Sequence, residues 1–438
     1  MKPKGLLVAV AVLAVLGGLI WWSNRKQAAA SKKTSTDTTT KLLSIPDDQF
    51  QEIKIKKLTG EVQDLRRVNG KWQLTQPVQL SADPDTVGSM VSSLSSLNAD
   101  KLIEDKAADL QPYGLHLPTL DITVVKKDGK SNELLIGDDT PTGSGAYAKL
   151  AGDPRVFTVA SFTKTSLDKT PADLRDKRLL TFDSDKLTRV ELQAKGQPVE
   201  FGKNNRNEWQ ILKPRPLRAD GSQVDTLINK LKDAKMDLAG AQLDIAKNFA
   251  AAARVATVVV ADAGGNQTLE VRKDKDKNCY ARSSAVEGTY KVASDLADAL
   301  DKNLDDFRNK KLFDFGFSDP NKVELQTVTY AKSGDKWLAG SKTMDNTSVQ
   351  NLIDKLRDLS AAKFPEKGGG QPVFEARVTS GDGKRVEKVA ITKQGTQYFA
   401  QRENEPSIYE LDGKAVDDLQ KAAADVKEPP PPAAPKKK

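Results

Sequence analysis

The sequence predicts an α+β protein: an N-terminal transmembrane helix followed by three tandem α+β repeats with antiparallel sheets. Three observations carry that prediction. Residues 5–22, GLLVAVAVLAVLGGLIWW, run for eighteen residues without a charge. A tryptophan-bearing stretch occurs three times, as GKWQLTQP (70–77), NEWQILKP (207–214) and DKWLAGSK (335–342). Around those stretches, short runs of alternating apolar and polar residues flank isolated amphipathic segments, the pattern of strands and helices on an antiparallel sheet.

The apolar run comes first. At 1.5 Å per residue it makes about 27 Å of helix, just enough to cross a hydrocarbon core. Trp21 and Trp22 fall where the headgroups would lie, a favoured place for indole rings. A cleaved signal peptide with QAAAS (27–31) as its processing site is the alternative. The run is longer than a signal core, and Arg25 and Lys26 separate it from the alanines, so an uncleaved anchor over residues 1–26 is expected. Lys32, Lys33 and Lys41 make positive charge heavier after the span, which on its own argues for a cytoplasmic body. A short N-terminal tail is also a common signal-anchor arrangement. The expectation adopted is a single-pass protein of a bacterial inner membrane with its body on the extracytoplasmic, periplasmic side. Residues 27–41, small and polar, read as a flexible linker.

The repeats follow. Shifted by 137, residues 42–97 lie over 179–234 without a gap: Trp72 meets Trp209, Pro77 meets Pro214 and Asp83 meets Asp220. Shifted by 133, residues 147–192 lie over 280–325, so that Tyr147 meets Tyr280 and Arg175 meets Arg308. Residues 220–231 then align with 345–356, Tyr280 with Phe399 and Tyr290 with Tyr409. Three units are expected, at 42–178, 179–311 and 312–427, with a disordered Pro/Lys tail over 428–438. That tail, EPPPPAAPKKK, favours polyproline II; it reads as a spacer or as a segment that docks on an aromatic groove or an anionic surface.

Within the first unit the periods are legible. FQEIKIKKL (50–58) alternates as a half-buried strand does, and Asn69-Gly70 marks a type I′ hairpin between two further strands. Asp83 caps a helix whose first position is Pro84, and Val87, Met90, Val91, Leu94 and Leu97 make one apolar stripe. Hairpins are expected around Asp128-Gly129 and Gly152-Asp153, with a short helix from Ser161 to Asp168. Recurrence at one register makes Trp72, Trp209 and Trp337 core anchors rather than ligand-stacking rings, and Tyr147, Tyr280 and Phe399 take the same reading.

The composition leaves little for chemistry. One cysteine and one histidine stand among 438 residues, so a disulfide within the chain is excluded. The net charge of +8 sits at the ends: residues 1–41 carry +6 and residues 428–438 carry +2, leaving the body neutral and giving no reason to expect nucleic acid. His116, in YGLHLP, lacks a neighbour to fix its tautomer. Cys279 has no base beside it and reads as a buried filler. Asp274, Asp276 and Asn278 have the spacing that opens a calcium loop, but the required glycine and glutamate are replaced by Cys279 and Ala285, so a hairpin turn is expected. Asp138-Asp139 is the densest acidic pair near a loop and is read as a strand end. EKGGGQP (366–372) joins a helix to a strand as a linker. No catalytic, cofactor-binding or metal-binding residues are therefore assigned, and no cofactor.

Taken together, GKWQLTQPVQLSAD, YGLHLP, ELLIGDDTPTGSGAYAKL and DLRDKRLLTF, behind an N-terminal span, resemble a bacterial membrane-anchored envelope family catalogued as a domain of unknown function, DUF4340. The resemblance covers most of residues 42–310 and fades in the third unit. It supplies no catalytic residues to carry over. What it implies is an accessory role in a membrane complex, beside ABC-type transport or gliding-related proteins. The expected function is thus a non-enzymatic scaffold or interaction protein with protein partners in the envelope. Binding of an envelope polymer such as glycan or peptidoglycan is the alternative, and a hydrolase using carboxylates alone is a third.

Overall fold

A computed structural model describes residues 40–316 and 320–430. In it each repeat is two four-strand meanders, each followed by a helix, joined through their first strands. In the first repeat, β1 (Phe50–Lys57), β2 (Val62–Val68), β3 (Lys71–Gln76) and β4 (Leu80–Ser81) lead into the helix Pro84–Ser95. After β5 (Lys101–Glu104), the strands β6 (Leu120–Lys126), β7 (Ser131–Asp139), β8 (Gly145–Leu150) and β9 (Val156–Ala160) lead into the helix Ser161–Leu167. The strands lie in the order β4-β3-β2-β1-β6-β7-β8-β9-β5, with antiparallel pairing throughout. At the centre Ile53 faces Val124 and Ile55 faces Ile122, all four without solvent exposure.

The second sheet repeats the plan with β10 (Arg189–Gln193), β11 (Val199–Lys203), β12 (Trp209–Lys213), β13 (Leu217–Arg218), β14 (Ala253–Asp262), β15 (Gly265–Lys273), β16 (Cys279–Ser283) and β17 (Thr289–Val292). Their order is β13-β12-β11-β10-β14-β15-β16-β17. The third sheet consists of β18 (Lys322–Leu325), β19 (Thr329–Ser333), β20 (Lys336–Ala339), β21 (Lys342–Met344), β22 (Ala361–Lys363), β23 (Gln371–Ser380), β24 (Arg385–Gln394), β25 (Gln397–Arg402) and β26 (Ile408–Leu411). It runs β21-β20-β19-β18-β23-β24-β25-β26-β22. The chain divides into two compact bodies, one ending at Lys177 and holding the first sheet, the other beginning at Arg178 and holding the second and third.

The helices form for the reasons their sequences suggest. Asp83, Asp220 and Asp345 each accept an N–H from the first turn, at Thr86, Gln223 and Ser348. Behind each cap one apolar stripe is buried: Val87, Met90, Val91 and Leu94; Val224, Leu227, Ile228 and Leu231; Val349, Leu352, Ile353 and Leu356. The N–H of each capping aspartate binds the carbonyl of the strand-like segment that ends its own repeat, at Leu174, Phe307 and Lys427. Asn69 and Gly70 both have positive φ, 51° and 79°, as a type I′ turn requires.

The predicted fold class needs correction. The described residues form mostly antiparallel sheet, in three sheets, and the helices are short additions, all but Gln242–Ala251 on one face of each, rather than an equal partner in an α+β fold. Their apolar residues make a single stripe, and the longest among the described residues, Asn346–Asp358, has thirteen residues. No described helix is long and apolar enough to cross a membrane. The predicted anchor (1–26), nearly all of the linker (27–41) and all but three residues of the tail (428–438) lie outside the described residues.

A second correction concerns Tyr147, Tyr280 and Phe399. Their strand neighbours Ala146, Ala148, Cys279, Ala281, Tyr398 and Ala400 face the helix-covered core, so these three rings point to the opposite face. There each meets a different insertion, always placed between the repeat's first helix and its second meander. Tyr147 packs edge-on against Tyr113 of the YGLHLP turn, with ring centroids 5.1 Å apart. Tyr280 lies under the helix Gln242–Ala251, which the sequence reading missed, in a small cluster with Ile245, Phe249 and Ala252. Phe399 is covered by the triglycine run. A Cβ on Gly368 would sit 2.9 Å from the Phe399 ring, and one on Gly370 would sit 2.1 Å from the Lys393 carbonyl oxygen. That run is therefore a fitted strap as well as a connection.

Two stability predictions follow from this packing. Leu352→Ala should cost about 2–5 kcal/mol in chemical denaturation and Asp345→Ala about 1 kcal/mol, because one opens a core cavity and the other removes a cap. In the turn after β8, the Arg155 side chain donates to Asp153 at 2.7 and 3.0 Å and holds that carboxyl at about 2, below its usual 3.8. A depressed carboxyl stabilises the fold above its unfolded value. The contribution, roughly 1 kcal/mol after screening of the partly exposed pair, should be full above about pH 4 and fade as pH falls towards 2. Asp153→Asn should flatten that part of the stability–pH curve.

Candidate functional site at the junction of the second and third sheets

The residues considered for chemistry in the sequence do not come together. His116 and Asp138 are exposed, and Asp139 is exposed and paired with Lys164 at 2.8 Å. Cys279 is buried, and burial pushes its thiol up, away from nucleophilic reactivity. Burial acts to raise Asp274, but hydrogen bonds from Asn278 and Tyr280 outweigh it, and the carboxylate is turned into its own hairpin. Among the described residues no group of His, Cys, Asp and Glu is placed to hold a metal ion. The tryptophans share one setting. Each lies directly across the ladder from a cation, Trp72 from Arg67, Trp209 from Lys203 and Trp337 from Lys332. The Arg67 and Lys203 charges lie 5.2 and 4.9 Å from their ring centroids. Trp209 and Trp337 are buried and Trp72 is half-buried.

What the structure does bring together is a set of charges where the second and third sheets meet. The connection 307–312 is fastened at both ends: Asn309 donates to the Arg218 carbonyl, and Leu312 to the Leu359 carbonyl, both at 3.0 Å. Around it Arg218, at the end of β13, reaches Glu405 at 3.0 Å, Asp314 at 3.6 Å and the Tyr409 hydroxyl at 3.4 Å. Arg402 on β25 lies 2.9 Å from Glu387 and 2.7 Å from Glu405, and donates to the Leu312 carbonyl. Glu387 also accepts the Asp314 N–H at 2.9 Å. Arg385, at the start of β24, crosses back to Glu208 beside Trp209 and donates to the Asp314 carbonyl.

The second repeat has a neutral version of part of this arrangement. There Ser283 donates to the Leu179 carbonyl, and Gln267 accepts the Thr181 N–H at 2.8 Å. Leu179 and Leu312, like Thr181 and Asp314, are equivalent under the 133-residue shift. The third repeat thus has an arginine and a carboxylate where the second has a serine and an amide.

The electrostatics are those of mutual charge compensation, with the Arg218 Nε and Nη1 close to carboxylates but donating no hydrogen bond. The side chains of Arg402 and Glu387 are only 11% and 5% exposed, so either charge alone would be costly. Burial disfavours the Arg402 charge, but Glu405 and Glu387 more than compensate and raise its pKa. Burial pushes the Tyr409 hydroxyl up, keeping it a neutral donor to Glu405 at 2.7 Å. An Asn204 hydrogen bond, aided by Arg385, holds Glu208 below the usual carboxylate range. Beside the network lies a polar cleft of about 710 Å³, lined by Trp209, Asp225, Lys311, Lys384 and Arg385 among others. Its arginines pair with carboxylates, Asp225 accepts the Trp209 indole N–H at 2.8 Å and Asp220 caps a helix, which suits holding surfaces in register better than moving protons. Sequence reasoning missed these residues because Arg218 and Glu405, or Glu208 and Arg385, are far apart along the chain and belong to no local pattern.

A sequence model of a family described as "Domain of unknown function (DUF4340)" matches residues 72–214 and again residues 209–373. The two matches start at Trp72 and Trp209, the same offset of 137 that superposes the first two repeats. No curated protein matches the chain.

The junction makes a measurable prediction. Glu387→Ala leaves Arg402 with one carboxylate fewer and the Asp314 N–H without its acceptor, and should cost about 3 kcal/mol. In a double-mutant cycle, Arg218→Ala and Glu405→Ala should couple by about 1–3 kcal/mol in denaturant unfolding. Additivity within about 0.5 kcal/mol would show that the pair does not hold the sheets together.

Proposed function

The chain belongs to the DUF4340 family, and from that premise we propose that it is a non-enzymatic scaffold or interaction protein of the bacterial cell envelope. Its repeats act on the extracytoplasmic side of the inner membrane as an accessory to a larger assembly. An ABC-type transporter or gliding-related complex is the class that the family resemblance suggests. The observation that carries this reading is the ionic network joining the second and third sheets. A protein that acts by holding partners in place gains from repeats fixed relative to each other, and serial repeats suit extended partners. The titratable groups of that junction are spent on one another, leaving no activated nucleophile or poised acid–base pair. Binding of an envelope polymer by stacking has less support, since the Trp209 and Trp337 rings are buried.

The test is purification from native membranes under mild crosslinking, followed by mass spectrometry. A defined set of envelope proteins should be recovered at stoichiometric levels with the wild type and depleted with Glu387→Ala, provided the variant stays folded. Recovery of the chain alone would overturn the scaffold reading, and co-sedimentation with purified cell-wall material would favour the polymer instead. A C-terminal reporter that works only outside the cytoplasm should be active; activity of a cytoplasm-only reporter would refute the assigned compartment.

A further inference from the structure

A groove on the body beginning at Arg178 has a chemistry that neither the ionic network nor the polar cleft uses. Two recesses of about 550 and 410 Å³ share Gln197, Pro214 and Leu304 and so form one continuous depression where the second and third sheets meet. Together they fall in the size range of small-ligand and short-peptide sites. The floor is set by Arg308, whose guanidinium lies 3.6 Å from the centre of the Phe364 ring. Phe364 packs edge-on against Tyr409, with centroids 5.5 Å apart, so the ring is held in place. Pro214, Pro365 and Pro406 form walls that carry no N–H.

Those walls decide the backbone of the occupant. With the Phe364 ring they offer the ring faces on which the prolines of a polyproline II segment pack, and such a segment asks for no ladder of main-chain donors because its own backbone stays solvated. The rim decides the charge. Asp305 is already paired with Arg308, Lys195 with Asp301, and Asp306 accepts the Asn303 N–H in a capping box. Arg215, Lys310 and Lys363 are exposed and make no ion pair among the described residues; against these three cations stand two exposed acids of the lining without a cationic partner, Glu366 and Asp306, whose capping bond leaves its charge in place. The uncommitted charge is therefore net positive.

We infer that this groove binds an acidic, proline-containing segment of a partner protein in the polyproline II conformation. The site rests on the reading of the chain as an interaction protein and names the partner's chemistry. Its test is separate from recovery of partners in membranes: fluorescence anisotropy of the purified full chain with synthetic peptides. The repeat (Pro-Pro-Glu)₃ should bind, while (Pro-Pro-Lys)₃ and (Gly-Ser-Glu)₃ should bind at least about ten-fold more weakly. Lys310→Glu with Lys363→Glu should lower affinity for (Pro-Pro-Glu)₃ roughly ten-fold without shifting thermal unfolding. Phe364→Ala should weaken both proline peptides, and Phe364→Leu supplies a milder control should the alanine variant unfold. Equal binding of the acidic and basic proline peptides would overturn the charge assignment. Equal binding of the glycine–serine peptide would overturn the polyproline assignment, and no binding of (Pro-Pro-Glu)₃ would overturn the site. Preference for the chain's own EPPPPAAPKKK sequence over (Pro-Pro-Glu)₃ would replace the acidic partner with a second copy of this chain.

Discussion

Each repeat depends on one contact, the antiparallel pairing of the first strands of its two meanders. Ile53 and Ile55 against Val124 and Ile122, Val190 and Leu192 against Val260 and Val258, and Val323 against Val378 form the seam. Because both meanders grow outward from that seam, the helix that ends each one returns over the same face. The helices Pro84–Ser95 and Ser161–Leu167 share a core for that reason, as do Asn346–Asp358 and Gly413–Ala424. The burial of one face of the sheet, the direction of the apolar stripe and the placement of the aspartate caps all follow from where the seam lies.

Two kinds of force then divide the work. Hydrophobic burial builds each repeat, with branched aliphatic side chains at positions equivalent from one repeat to the next. Charge joins the second repeat to the third. Ion pairs add little net stability when solvent reaches them, and they cost desolvation when it does not. Their value at the junction lies in direction: an arginine fork between two carboxylates fixes an orientation that an oily contact would leave loose. The neutral Ser283 and Gln267 make the same backbone contacts in the second repeat, so the charged residues of the third were not needed to fold the unit.

Local features were legible in the sequence and distant ones were not. The Asn69-Gly70 hairpin, the Asp83 cap and the stripe from Val87 to Leu94 depend on residues within a few positions of each other, and the triplication was legible because whole stretches recur at a constant offset. The family resemblance rested on such short stretches. The fold class was misjudged because amphipathic helices announce themselves more loudly than short strands, although strands outnumber them here. The helix Gln242–Ala251 escaped notice because its buried face is only Ile245 and Phe249. The register of Tyr147, Tyr280 and Phe399 was visible, but sequence periodicity cannot tell which face of a sheet receives the helices. The junction itself was invisible, since nothing near Arg218 announces Glu405.

The insertions on the second face have a consequence of their own. At one point in each repeat, between fixed anchors, the chain holds a tyrosine turn, a ten-residue helix or a triglycine strap, while the seam beneath stays the same. The repeat therefore works as a socket. Its frame is conserved by packing, and the piece plugged into it varies in length, charge and secondary structure from copy to copy. Diversification by duplication needs this separation, because a surface can drift towards a new binding preference while the interior keeps paying no penalty for the change.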